Sequence, residues 1–185
     1  MLLTELRKNA IAEVIEREGG SKYTNRAADR GGPTRWGVTE ATARRFGYEG
    51  DMAQLPYEVA ERVYLAIWQE CQCDAISELD AEMAVYVFDF AVNSGEGNAG
   101  KRLQRLLNVL NNRGRLYPDI TVDGDIGPGT VAALKAYAAR RGMAGLRLLR
   151  EAYNALRIGL CFDLAERQEA QEENINGWFS RIVNL

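Results

Sequence analysis

The chain has 185 residues, 46% of them hydrophobic and 26% charged, with a net charge of −3, the balance of an ordinary folded domain able to bury roughly 70% of its unfolded surface. Lysines and arginines are scattered among acids, so no concentrated basic footprint for nucleic acid is present. No run of eighteen apolar residues occurs, and the opening MLLTELRKNAIAEVIE carries charges throughout, which argues against a membrane anchor and a signal peptide. Histidine is absent altogether. Ser-His-Asp and Cys-His catalysis and histidine metal sites are thereby excluded, leaving carboxylates as the main acid and base groups near neutral pH.

In chain order, the first helix is expected from about Thr4 to Arg17, with Leu6, Ala10, Ile11, Val14 and Ile15 as one apolar stripe. Gly19-Gly20 ends it, because glycine enters the left-handed conformation at little cost. Glu18 then stands at the helix C-terminus, where the dipole disfavours an ionised carboxylate. Residues 21–37 lack helical periodicity and read as a long loop or short irregular hairpin. Thr39 has the character of an N-cap for a short helix through Phe46, and GYEGD at 47–51 is a turn. A further helix follows Leu55-Pro56, with proline in first position and Val59, Ala60, Val63, Tyr64, Ile67 and Trp68 inward.

Cys71, Cys73 and Cys161 are read as free thiols. A zinc tetrahedron would need a carboxylate as its fourth ligand, and ordinary half-buried cysteines are the simpler reading. From Asp80, the run AEMAVYVFDFAVN is apolar on nearly every side and predicts a central buried helix stopped by Asn93-Ser94-Gly95. Ala99–Leu110 is helical on its leucine spacing. The Gly- and Asp-rich stretch 111–130 follows, then helices over Thr130–Ala139 and Ala144–Glu166, and a short terminal helix holding Trp178, Phe179 and Ile182. Strand character is confined to short pieces near Tyr23, Trp36–Thr39 and Ile120–Val122. The fold class is therefore mainly α with one short β-hairpin, and no repeat or low-complexity linker divides it.

The chemistry concentrates between 18 and 39. An acid at a helix end beside a loop carrying Asp29, Thr34 and Thr39 has the makings of a glycosidase pair, in which one carboxylic acid protonates the leaving oxygen and a second group activates water. The same residues also read as an ordinary exposed helix end and an ordinary turn aspartate. Asn93 and Ser94 face a cleft or simply stop a helix. Tyr23, Trp36 and Tyr153 are sugar platforms or core residues. Asp123 and Asp125 shape a turn before a helix started by Pro128 or Thr130, and the spacing fails the EF-hand pattern.

The stretch EGGSKYTNRAADRGGPTRWGVT, from Glu18 to Thr39, resembles the N-terminal signature of the glycoside hydrolase family 108 muramidases of phage endolysins and secretion activators. GYEGDMAQL (47–55), VFDFAVNSG (87–95), LQRLLNV (103–109), VDGDIGPGTVAAL (122–134) and NGWFSRIV (176–183) fit the same family in its order. The resemblance implies a single lysozyme-like domain, with residues 1–95 catalytic and 96–185 resembling a peptidoglycan-binding segment. It implies cleavage of the β-1,4 bond between N-acetylmuramic acid and N-acetylglucosamine, with Glu18 as catalytic acid and Asp29 and Thr34 as its partners. The alternative within this fold is a peptidoglycan-binding or secretion-assisting protein without hydrolysis. Tyr23, Trp36, Thr39, Asn93, Ser94 and Tyr153 are the expected substrate contacts. No metal or other cofactor is expected. The expected partner is peptidoglycan, engaged by a monomer that is made in the cytoplasm and released to the periplasm or wall by a holin or a secretion machinery.

Overall fold

The computed structural model describes residues 3–25 and 32–185. It is mainly helical: eight α-helices and one two-stranded antiparallel hairpin occur among the described residues. None of these helices is long and apolar enough to cross a membrane. The chain divides into two compact units, Met1–Glu70 and Cys71–Leu185.

In the first unit, α1 (Leu3–Arg17) buries Ala10, Ile11, Val14 and Ile15, the stripe the spacing predicts, and packs on α3 (Tyr57–Glu70). That helix contributes Val59, Ala60, Val63, Tyr64 and Trp68 to the core; a side chain the size of either valine contributes about 1.5–3 kcal/mol when fully buried. Pro56 lies just outside α3 rather than at its first position, and its carbonyl accepts from Val59 N at 3.1 Å. Between them lie β1 (Thr34–Arg35), β2 (Val38–Thr39) and the short α2 (Glu40–Arg45). Thr39 caps α2 as expected, its hydroxyl accepting from Thr42 N at 3.4 Å.

The second unit is built around α5 (Ala81–Ser94), which buries Met83, Ala84, Val87, Phe88, Asp89, Phe90 and Ala91. Asp80 caps its start by accepting from Met83 N at 3.0 Å and is held in place by Arg150 at 2.9 Å. Gly95, with φ 84°, ends it. Three neighbours cover α5: α4 (Cys73–Ser77), α6 (Glu96–Leu110) and α7 (Pro128–Arg167). The first of these has no counterpart in the sequence reading, and α6 begins three residues earlier than its leucine spacing suggests. Gly142, at φ 60° and ψ −162°, breaks α7 where the sequence separates two helices. The last helix, α8 (Glu172–Val183), buries Ile182 and packs on α7.

Residues 111–127 contain no strand, contrary to the reading of Ile120–Val122. Their backbone is pinned instead by one polar stripe of α6. Gln104 donates to Asp123 at 2.7 Å and to the Asp125 carbonyl at 2.8 Å, and accepts from Gly124 N at 2.8 Å. Asn108 donates to the Ile120 carbonyl at 2.8 Å and accepts from Ile120 N at 2.9 Å, while Asn111 joins Asp119 at 2.6 Å. The Gln104 amide and the Asp125 N–H hold the Asp123 carboxyl below the usual carboxylate range. Gly100 completes the stripe: a Cβ there would meet the Gly124 carbonyl oxygen at 2.0 Å.

Candidate active site

The chain leaves α1 through a Schellman motif. Gly20 N donates to the Ile15 carbonyl at 3.0 Å and Gly19 N to Glu16 at 3.2 Å, with φ 110° and 55° at the two glycines. This pattern makes Glu18 the C-cap residue, its own N–H still bonded to Val14 at 2.9 Å, and its side chain is half-buried. Helix termination and placement of the acid are thus one event.

The hairpin comes back over this point. Thr34 pairs with Thr39 and Arg35 with Val38, joined by Trp36-Gly37 with φ 56° and 72°. Two successive positive φ angles are what a two-residue hairpin turn of the primed type requires. Glycine meets that demand freely and tryptophan does not, so Trp36 is held by its surroundings. Its Nε1 donates to the Leu55 carbonyl at 3.0 Å, its ring meets Tyr57 edge-on at 5.3 Å, and the Arg35 guanidinium lies 5.6 Å from the ring centre. The Arg35 Nη1 donates to the Ala53 carbonyl.

Gly37 carries the contact with the acid. A Cβ at this position would stand 2.5 Å from the Glu18 Cβ and 2.3 Å from the Tyr64 hydroxyl oxygen. The bare backbone of the turn therefore presses directly on the stem of Glu18. The buried Tyr64 locks the arrangement from the α3 side, its hydroxyl donating to the Trp36 carbonyl at 3.0 Å.

Thr34 lies on the first strand of this hairpin. Its backbone exchanges two hydrogen bonds with Thr24, at 2.8 and 2.9 Å, and its hydroxyl donates to the Gly32 carbonyl at 3.2 Å. Tyr23, next to Thr24, is 41% exposed. Glu18, Tyr23, Thr34 and Trp36 thus cluster around one hairpin, while the Thr39 hydroxyl is engaged as the cap of α2. Asp29 lies outside the described residues.

Asn93, Ser94 and Tyr153 belong to the second unit. Asn93 and Ser94 end α5 and line a cavity there. Tyr153 takes the core alternative: it is fully buried, its hydroxyl donates to the Ala99 carbonyl at 3.1 Å, and its ring meets Phe90 edge-on. Enclosed in this way, it presents no face for a sugar to stack on.

Two groups stand out beyond those the sequence reading selected as site residues. Tyr64 is readable in sequence only as a core residue of α3, although the Trp36-Gly37 pair carries the turn signal that leads to it. The other is the buried Asp89, which accepts from Arg157 and Arg181. Cys71 and Cys73 are buried, and burial pushes the Cys73 thiol well above its ordinary range, the state of an unreactive core thiol. Among the described residues, no group of three or more Cys, Asp or Glu is arranged to hold a metal ion.

Comparison with known proteins supplies a family for both halves. Residues 11–95 match the model of glycosyl hydrolase 108, and residues 98–183 match that of a predicted peptidoglycan domain. The solved structure of Brucella abortus SagA is similar, at 26% sequence identity and a TM-score of 0.62, over 98% of this chain and 95% of that chain. No curated protein matches the chain.

Proposed function

Because residues 11–95 belong to the glycosyl hydrolase 108 family and a peptidoglycan-domain segment follows them, we propose that this glycoside hydrolase is an N-acetylmuramidase with Glu18 as its general acid. The observation that carries the assignment is the contact of Gly37 with the Glu18 stem. It holds the stem of a half-buried glutamate at a helix C-terminus against the turn of the hairpin that carries Thr34.

In this reading the Glu18 carboxylic acid donates its proton to the oxygen linking N-acetylmuramic acid to N-acetylglucosamine. The bond from the anomeric carbon to that oxygen breaks, and water adds to the oxocarbenium-like centre. Asp29, eleven residues along the sequence, takes the proton of that water, and the Thr34 hydroxyl helps to orient it. The exposed Tyr23 ring receives an apolar sugar face. Residues 96–185 hold the glycan strand.

The test is Glu18→Gln on purified sacculi, read by turbidity and by mass spectrometry of the released fragments. General acid catalysis contributes about 10²–10⁴-fold, so clearance should fall by at least about a hundredfold while the protein stays folded. Wild-type products should carry N-acetylmuramic acid at the reducing end. Clearance by the variant at the wild-type rate, or products ending in N-acetylglucosamine, would sink the assignment.

A further inference from the structure

The second unit contains a cavity of about 130 Å³ among the end of α5, the second part of α7 and α8. One water molecule needs roughly 10–15 Å³ and a drug-sized ligand about 300–1,000 Å³, so this space suits a substituent of a larger molecule and not a whole sugar ring. Phe90, Leu164 and Ile182 form apolar walls.

Among the polar side chains of the lining, three have hydrogen bonds left to make. Trp178 is half-buried, and its indole N–H has no acceptor among the described residues. Asn93 is the converse case. Its Nδ2 donates to the Asp89 carbonyl at 2.6 Å, which leaves Oδ1 as the atom able to accept. Arg157 gives its two terminal nitrogens to Asn154 and Asp89, while its Nε is buried without a hydrogen-bond partner. The wall is therefore short of acceptors, and donors left unmade in such a place are costly.

We propose that this cavity is an acetamido-binding site, filled by the N-acetyl group of an amino sugar. The carbonyl oxygen accepts from the Trp178 indole N–H, the amide N–H donates to Asn93 Oδ1, and the methyl group rests against Phe90 and Leu164. Other small groups satisfy only part of this set. A carboxylate brings no hydrogen for the Asn93 oxygen, an ammonium brings no acceptor for the indole, and a hydroxyl brings no methyl for the apolar walls. That the sugar belongs to peptidoglycan rests on the proposed function above; the acetamido chemistry rests on the cavity. The consequence is selectivity: strands with N-acetylated sugars are held in preference to strands whose amino groups have lost the acetyl group.

The test is nuclear magnetic resonance of the isotope-labelled full chain, titrated with the methyl glycoside of N-acetylglucosamine and with methyl glucoside, which has the same ring without the acetamido group. The chain has three tryptophans, so its indole signals are few, and the one lost in Trp178→Phe identifies Trp178. That signal should move with the N-acetyl sugar, which should bind at least about tenfold more tightly than methyl glucoside, through one hydrogen bond and one buried methyl group. Trp178→Phe keeps a ring in the wall and deletes the N–H. Its affinity for the N-acetyl sugar, read from the backbone amide of Ser94 in the same lining, should fall by about fivefold, the worth of one hydrogen bond. An indole signal that stays still or moves equally with both glycosides overturns the proposal, as does wild-type affinity in Trp178→Phe. Clearance of sacculi by the wild-type protein is scored separately. Clearance with an unmoved Trp178 signal ends this proposal and spares the hydrolase, whereas a selective Trp178 shift without clearance does the reverse.

Discussion

Asp89 and Glu18 are both carboxylates carried by helices, and their settings differ in nearly every physical respect. Asp89 sits in the interior of α5, fully buried, with two arginines on its oxygens. Glu18 sits at the C-cap of α1, half-buried, with its stem against a glycine. A carboxylate whose two oxygens are both taken by arginine serves as an anchor. One that is half-exposed at a helix end is, in the proposed reading, the proton donor. Under the proposed function, the difference separates a structural acid from a chemical one.

Substitutions can break or sharpen that contrast. The largest effect on stability is expected for Asp89→Asn, which takes from the buried Arg157 guanidinium the carboxylate it is paired with. Removing one partner of a buried ion pair costs about 3–5 kcal/mol, measurable as a lower denaturation midpoint in urea. Glu18→Gln in the same titration should stay within about 0.5 kcal/mol of wild type, so a variant of Glu18 that unfolded as readily as one of Asp89 would erase the distinction.

Gly37→Ala comes next. The new Cβ meets both Glu18 and Tyr64 at φ 72°, and strained backbone of this kind costs about 1–3 kcal/mol. Its rate on sacculi should fall further than its stability, because the atom displaced is the stem of the proposed acid. Equal hydrolysis by Gly37→Ala and wild type would show that the turn does not position Glu18. The smallest effect belongs to Thr39→Ala, which removes an N-cap worth about 1 kcal/mol. Thermal unfolding should register that loss while hydrolysis per folded molecule is unchanged, which marks Thr39 as a cap rather than a sugar contact.

Much of this was legible from local chemistry. The Gly19-Gly20 stop, the Thr39 cap, the Gly95 stop and the break before Ala144 are all signals carried by one or two adjacent residues. The helix α4 was not legible because its entry residue, Gln72, takes φ 51°, a conformation that glutamine does not advertise. The first turn of α6 was missed because Gly97 and Asn98 are exposed and carry no apolar spacing. Ile120–Val122 has strand-like composition, but the amide of Asn108 takes the place of a neighbouring strand. The Asp89 cluster was hidden for a different reason. Its arginines lie 68 and 92 residues away, and no periodicity links positions so remote.

The polar stripe of α6 bears on how this chain tolerates changes of length. Gln104, Asn108 and Asn111 recur every three or four residues and hold different points of this connection, with Gly124 backed closely onto Gly100, so the segment is measured against the helix. An inserted or deleted residue between Asp119 and Gly124 shifts every later amide out of register, as a slipped tooth does in a zipper. A tag or grafted epitope placed there is therefore expected to unfasten the stretch leading into α7. The exposed α7 break at Gly142 and Met143, where no such template runs alongside, is the better place for added sequence.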